Sequence, residues 1–220
     1  MKAMMIDDSK YMFLQTGDTH RRTILDHILR HITVERDRKL VDLGAGHCIF
    51  SCAAAAHGYR VTAVDARQDR KPAVLPPNVS FKLQDVRTFD LAGFDVILIL
   101  GLLYHLTLDD QIDLLTRCPK GSRVIIDTQV HIRDLVAQDV WDQMKLDADA
   151  IERQSGYEGI LYPEQTNLQA SVGNAHSWWH TEPSILRLFK ETGFSRCVMI
   201  GLPYVSKYGG RRWYALSKQP

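Results

Sequence analysis

Val41-Asp42-Leu43-Gly44-Ala45-Gly46-His47-Cys48 decides how the rest of this 220-residue chain is read. An apolar run, Lys39-Leu40-Val41, leads into an acid. Two glycines follow, and then Cys52-Ala53-Ala54-Ala55-Ala56, a run of high helix propensity. The order is strand, tight turn, helix. Glycine in such a turn tolerates positive φ and lets the backbone approach a ligand closely. The start of the helix offers unpaired N–H groups. Nucleotide sites of several classes use a turn of this kind, so its meaning depends on what lies downstream.

Downstream, strand and helix alternate. Residues 39–43 form the first expected strand and 48–57 its helix, stopped by Gly58. Residues 59–64 make a second strand that ends at Asp65, and 79–83 a third, ahead of Asp85. The run from Phe94 to Leu100 is apolar on both faces, as a central strand of a covered parallel sheet must be. Asp109 or Asp110 is expected to cap the next helix, and 122–127 supply a fifth strand. Ahead of these repeats, Ile24, Leu25, Ile28, Leu29 and Ile32 share one helical face, with Thr16, Asp18 or Thr19 as cap. Arg21 and Arg22 read as its solvated side; the sharper alternative is an arginine folded over the Gly44 turn.

After Asp127 the rhythm breaks. A helical stretch is expected from Val136 to Ile151, within an irregular segment that is too aromatic for disorder. Thr181 caps a last helix that carries Pro183 in its first turn and ends at Gly193. Residues 197–200 and 212–216 pair as a hairpin through the Gly209-Gly210 region. The expected fold is therefore α/β: a doubly wound, mostly parallel seven-stranded sheet with a C-terminal antiparallel β-hairpin.

Composition sets outer bounds. The chain is 45% hydrophobic and 24% charged, with a formal net charge of +1, which suits one ordinary globular domain. It carries no overall basic footprint for a nucleic-acid partner, although a local patch is open to it. Cys48, Cys52, Cys118 and Cys197 form no CxxC pair and no zinc spacing, and read as reduced thiols of a cytoplasmic protein. No apolar run reaches membrane length, and the first eight residues do not read as a signal peptide. Lys207, Arg211 and Arg212 cluster near the last hairpin and read as a solvated face. Asp127 and His131 have no clear third partner, so no metal is expected.

In an open parallel sheet, ligands sit beyond the carboxyl ends of the strands. Gly44, Gly46, Asp65, Asp85 and Gly101 all fall at such ends. A carboxylate at Asp65 suits a ribose diol, because it accepts from two hydroxyls at once. One at Asp85 suits the exocyclic amine of adenine. A dinucleotide enzyme would use the same turn, but Ile49 and Phe50 stand where the last glycine of G-x-G-x-x-G belongs.

Taken together, these motifs resemble the class I S-adenosylmethionine-dependent methyltransferases. Val41-Asp42-Leu43-Gly44-Ala45-Gly46 is similar to that family's first motif, Ala63-Val64-Asp65-Ala66 to its second-strand acid, and Gln84-Asp85-Val86 to its adenine-side acid. Phe94-Asp95-Val96-Ile97 with Gly101-Leu102-Leu103-Tyr104-His105-Leu106 resembles the fourth-strand motif. One departure is Cys48, where many members carry a third glycine. The resemblance implies S-adenosyl-L-methionine as cofactor. Asp42, Gly44, Ala45 and Gly46 would face its methionyl part, Asp65 with Ala66 its ribose, and Asp85 with Val86 its adenine. Leu100 and Gly101 would line the reacting centre. It also implies one domain, made of an N-terminal helical segment (1–37), cofactor-binding repeats (38–127), a substrate lid (128–180) and a closing helix and hairpin (181–220).

The acceptor side has its own candidates. His105, just past the fourth strand, is either a base or a pocket wall, and Tyr104 beside it reads as packing around the acceptor. In the insert, Tyr157, Tyr162, Trp178 and Trp179 would wall off a flat or apolar acceptor, while Glu158, His176 or His180 would orient it or take its proton. The alternative is that one tryptophan fills the gap over the sheet and the other covers surface. Tyr157-Glu158-Gly159 and Ser177-Trp178 are similar to a pattern in methyltransferase-domain proteins of bacterial secondary metabolism. The expected activity is methyl transfer to an oxygen or nitrogen of a small molecule. The rivals are an RNA- or tRNA-modifying enzyme and a non-catalytic binding subunit of the same fold.

Overall fold

The structure, a computed structural model, describes residues 17–31, 38–164, 172–206 and 209–219. The elements in order are α1 (Gly17–His31), β1 (Lys39–Leu43), α2 (Ile49–Ala56), β2 (Arg60–Asp65), β3 (Val79–Leu83), β4 (Val96–Leu100) and α3 (Leu108–Arg117). They continue as β5 (Arg123–Gln129), α4 (Gln138–Met144), β6 (Glu152–Gln154), β7 (Tyr157–Pro163), β8 (His176–His180), α5 (Glu182–Glu191), β9 (Arg196–Ser206) and β10 (Gly209–Ser217). The main sheet has the order β3-β2-β1-β4-β5-β10-β9. β1 to β5 are mutually parallel, and β10 runs antiparallel to both β5 and β9. This is the expected doubly wound sheet with its closing hairpin.

β4 shows why an uninterrupted apolar run is needed at the centre. Side chains alternate across a strand. Ile97 and Ile99 pack with Leu114, Leu115, Leu188 and Phe189 of α3 and α5, while Val96, Leu98 and Leu100 pack with Leu25, Leu29, Ala53 and Ala54 of α1 and α2. Both faces are covered, and all five residues of β4 are buried. The sheet reverses its strand order between β1 and β4, so the carboxyl ends of β1, β2 and β4 open onto one crevice.

Two local expectations change. The cap of α3 is Thr107, not Asp109 or Asp110: its hydroxyl accepts from the Asp110 amide at 3.2 Å and donates to the Asp110 carboxylate at 2.8 Å. The two acids sit instead in the first turn, where they suit the helix dipole. The Val136–Ile151 helix shrinks to Gln138–Met144, stopped by Lys145 in a left-handed conformation (φ 57°). Of the caps expected for α1, Asp18 and Thr19 fall within the helix, while Thr16, like Ile32 of its apolar face, lies outside the described residues.

The insert is not irregular. β6, β7 and β8 form a separate three-stranded antiparallel sheet. β6 turns into β7 through Ser155-Gly156, both at positive φ (52° and 81°), the geometry of a tight hairpin. Within β8 the adjacent tryptophans face opposite ways. Trp178 joins the main core, and Trp179 joins Val136, Trp141 and Ile160 in a separate cluster. Both are buried.

Candidate functional site

The Gly44 turn is built by its own backbone. Gly44 and Gly46 take φ of 69° and 51°, and a Cβ on Gly44 would come within 3.0 Å of Leu102. The amides of Gly44 and Ala45 donate to the Val64 carbonyl at 2.9 and 3.0 Å, folding the turn over the end of β2. The Gly46 amide donates to Asp65 Oδ2 at 2.8 Å, and the Arg67 amide to Asp65 Oδ1 at 2.9 Å. Asp65 therefore staples the turn to β2, and each of its oxygens keeps a further lone pair. Cys48 takes the left-handed conformation (φ 58°) that a third glycine would adopt freely. Its thiol is buried, and burial pushes it up to about 11.

Asp42 lies beneath this turn rather than on the crevice. It is 1% exposed and accepts from Ser51 Oγ at 2.6 Å. Burial raises its carboxyl to about 6, against the pull of Ser51 and Arg21. The raised value means that ionised Asp42 opposes folding: stability is highest below the unfolded carboxyl value and falls as pH rises toward 6. Asp42→Asn is therefore expected to stabilise the protein by about 1–3 kcal/mol at pH 8 and little near pH 4. Urea titrations of both proteins at the two pH values measure this; equal differences at both would remove burial of the charge as the cause.

Two adjoining cavities form the crevice, and they share Gly44, Arg67, Leu102 and His105. Asp65, Ala66, Asp85 and Val86 line one side. Ala45, Gly46, Leu100, Gly101 and Tyr104 line the other. The two acids thus face one space, as the strand order requires. Asp85 is gripped by Arg87, whose Nε lies 3.0 Å from both carboxylate oxygens and whose amide donates at 2.9 Å. The Arg87 side-chain bonds outweigh burial and hold the Asp85 carboxyl below its usual range.

Arg21, which lines the second cavity, belongs to a charge cluster. Asp127, at the end of β5 and fully buried, takes Arg21 Nε at 2.6 Å and Arg211 Nη2 at 2.7 Å, and the Tyr204 hydroxyl donates to it at 3.2 Å. Burial alone would raise the Asp127 carboxyl, but the two arginines outweigh it and hold it low. Arg21 also lies over the Phe50 ring, and its Nη2 would stand 2.7 Å from a Cβ on Gly101. Arg21 is thus not on a solvated face; its helix delivers it to the crevice, while Arg22 stays exposed. Arg211 is likewise buried, and Arg212 pairs with Glu182 at 2.9 Å, so neither is a solvated charge. Lys207 lies outside the described residues. His131 Nε2 is 2.8 Å from the Ala148 carbonyl, away from Asp127's partners.

The candidates expected around an acceptor separate. His105 Nδ1 lies 3.0 Å from Glu164 Oε1, and the Tyr104 ring packs beside it at 4.2 Å. Trp179 donates to the Tyr104 carbonyl at 2.9 Å and stacks on Tyr162 at 4.4 Å. The remainder do not reach the crevice. Trp178 and Tyr157 belong to the main core, the Tyr157 hydroxyl bonding to Glu191. Glu158 is half-buried and pairs with Arg153 at 2.8 Å. His176 is an exposed strand residue whose carbonyl accepts from Asn174 at 2.7 Å. His180 is 1% exposed, and burial lowers it to about 3, so its ring is a neutral core group. Its Nδ1 accepts from Trp178 Nε1 at 3.3 Å and lies 2.8 Å from Ser184 Oγ. Strand alternation explains the split within β8: Trp178 and His180 turn to the main core, and Trp179 between them turns to the other side. Glu164 was not among the sequence candidates. Its only signal was its place at the end of an aromatic run.

No family model matches the sequence, and no curated protein matches it. Solved structures match it in shape. The N-terminal domain of EvdMO1 with SAH bound superposes with a TM-score of 0.65 at 18% identity, covering 98% of this chain and 85% of that one. The Burkholderia thailandensis 1,6-didemethyltoxoflavin-N1-methyltransferase, with 1,6-didemethyltoxoflavin and S-adenosylhomocysteine bound, gives 0.56 at 19% identity over 97% and 83%. The S-adenosylmethionine-dependent methyltransferase SibL gives 0.59 at 17% identity over 93% of this chain and 57% of that one. The chain therefore has the class I methyltransferase fold.

Proposed function

We propose that this chain is an S-adenosylmethionine-dependent methyltransferase that moves a methyl group to an oxygen or nitrogen of a small molecule. The observation that carries this reading is the convergence of Asp65 and Asp85 on one cavity that continues across Gly44 into a second. The residues present fit the cofactor. A Cβ at Gly44 would crowd the cradle, and the Asp65 oxygens keep lone pairs for a ribose diol after holding Gly46 and Arg67. Asp85 would accept from the adenine amine, with Ala66 and Val86 flanking the ring. Gly44, Ala45, Gly46, Leu100 and Gly101 would hold the methionyl side, with Arg21 over it.

When bound, S-adenosyl-L-methionine supplies an electrophilic methyl group on a sulfonium. The protein's task is alignment and exclusion of water, which can lower a barrier by up to about 7–11 kcal/mol in favourable cases. His105, shared by both cavities, stands where the adenosyl and methionyl parts would meet. Tyr104, Tyr162 and Trp179 form one connected aromatic group beside it, suited to a flat acceptor. The similarity of the Tyr157 and Ser177 stretches to proteins of bacterial secondary metabolism supports an acceptor from that chemistry.

Calorimetry with S-adenosylhomocysteine tests the reading. Asp65→Ala is expected to weaken binding by about 1–3 kcal/mol, the range for hydrogen bonds to a charged group. Unchanged affinity would place the ribose elsewhere, and a wild-type protein that binds none would leave only a fold.

A further inference from the structure

We infer that Glu164 is a positioning residue that sets His105 to receive the acceptor's proton, so that the lid and not the main sheet completes the site. The inference rests on the methyltransferase reading and specifies what that reading leaves open, the fate of the proton. Glu164 follows β7, and its amide is tied to the Ala175 carbonyl at 2.9 Å, so its place is set by the lid sheet. Its side chain is 2% exposed. Oε1 meets His105 Nδ1 at 3.0 Å, and Oε2 is buried with no hydrogen-bond partner among the described residues.

A buried carboxylate that lacks a full set of partners is costly to keep, and it is the kind of group a fold retains for a charge that forms beside it. An ionised carboxylate only accepts hydrogen bonds. Facing it, Nδ1 must carry the imidazole proton, which leaves the lone pair on Nε2. The His105 ring lines both halves of the crevice, so a base is presented at their junction. Asn174 fixes the same segment from the other side, donating to the His105 carbonyl at 3.2 Å.

The acceptor oxygen or nitrogen forms a bond to the methyl carbon while the carbon–sulfur bond breaks and its electron pair goes to sulfur. The acceptor's proton passes to His105 Nε2, and the imidazolium formed is stabilised by Glu164 without proton transfer to it. The acceptor class is therefore a hydroxyl or N–H group that sheds a proton, in contrast to a thioether or a tertiary amine.

The test uses the full chain saturated with S-adenosylhomocysteine, with histidine nitrogen shifts read by NMR in wild type, Glu164→Gln and Glu164→Ala. Wild-type His105 is expected as a single neutral tautomer protonated at Nδ1. Glu164→Gln, which both donates and accepts, is expected to give a mixture, with affinity for S-adenosylhomocysteine within about threefold of wild type. The His180 ring, carried by β8 and packed against Trp178 and Ser184, reports in the same spectra that β8 remains docked on the core. A wild-type His105 protonated at Nε2, or a tautomer indifferent to both substitutions while His180 is unchanged, would overturn the inference. Failure of wild type to bind S-adenosylhomocysteine would instead overturn the methyltransferase reading and the transfer assigned to the pair. A methylated product whose accepting atom carried no proton beforehand would also overturn it.

Discussion

Asp127→Ala is expected to destabilise the protein by about 3–5 kcal/mol, the cost of removing one partner from a buried ionic cluster. Asp127 is fully buried, and its carboxylate answers two arginines, Arg21 from α1 and Arg211 from β10. Both guanidinium groups would remain in a site with little solvent to replace the lost charge. Arg211 suffers most, because its Nε and Nη2 both donate to Asp127 and, among the described residues, its Nη1 reaches only the Tyr104 hydroxyl, at 3.2 Å. Denaturant titration measures the loss. Pairing Asp127→Ala with Arg211→Met is expected to recover part of it, because an apolar side chain of similar length needs no counter-charge. A single substitution costing under about 1 kcal/mol would mean that the cluster is hydrated. The same geometry sets an acid limit. The Asp127 carboxyl is held below its unfolded value, so its contribution is present at neutral pH and is lost as pH falls below the ordinary carboxyl range.

Trp178→Ala is expected to cost about 3–5 kcal/mol, the range for emptying a large buried aromatic site. The ring is 1% exposed and packs into the main core beside Gly159, where a Cβ would stand 2.8 Å from the indole. That approach leaves little room for neighbours to collapse into the space. Trp179→Ala, one residue on, is expected to behave differently. Its ring packs in the smaller cluster against Tyr162, so its loss should loosen the three-stranded sheet and the packing around Tyr104 before it lowers global stability. Hydrogen exchange compared between the two variants separates these effects: the first should raise exchange in β4 and α5, the second mainly in β7 and β8. Equal exchange patterns would mean that the two tryptophans share one cooperative unit.

The adjacent tryptophans also show what one-dimensional reading misses. As a helix or loop the pair has no consistent face, and the insert was expected to be irregular. As a strand, adjacent residues must part to opposite sides, and the pair becomes the seam between the main core and the smaller cluster. The strand signals were present but weak: the Ser155-Gly156 turn, and a seven-residue strand, Tyr157–Pro163, that includes a glycine and a proline. Neither Gly159 nor Pro163 favours a strand on propensity. Packing against Trp178 and the pairing with β8 outweigh that preference.

The glycine turn and the strand-end acids were legible because their geometry is local. A parallel strand followed by a tight turn leaves its last residues at one edge of the sheet, whatever the remainder of the chain does. Order along the chain was therefore sufficient to bring Asp65, Asp85 and the Gly44 turn to one crevice. Contacts between residues far apart in sequence have no such local rule. Arg21 and Arg211 reach Asp127 from 106 and 84 residues away, and Glu164 reaches His105 from 59. Which charges are buried, which histidine is a neutral core group and which carboxylate stands behind His105 depend on how the layers stack, and that is decided by packing in three dimensions rather than by any spacing along the chain.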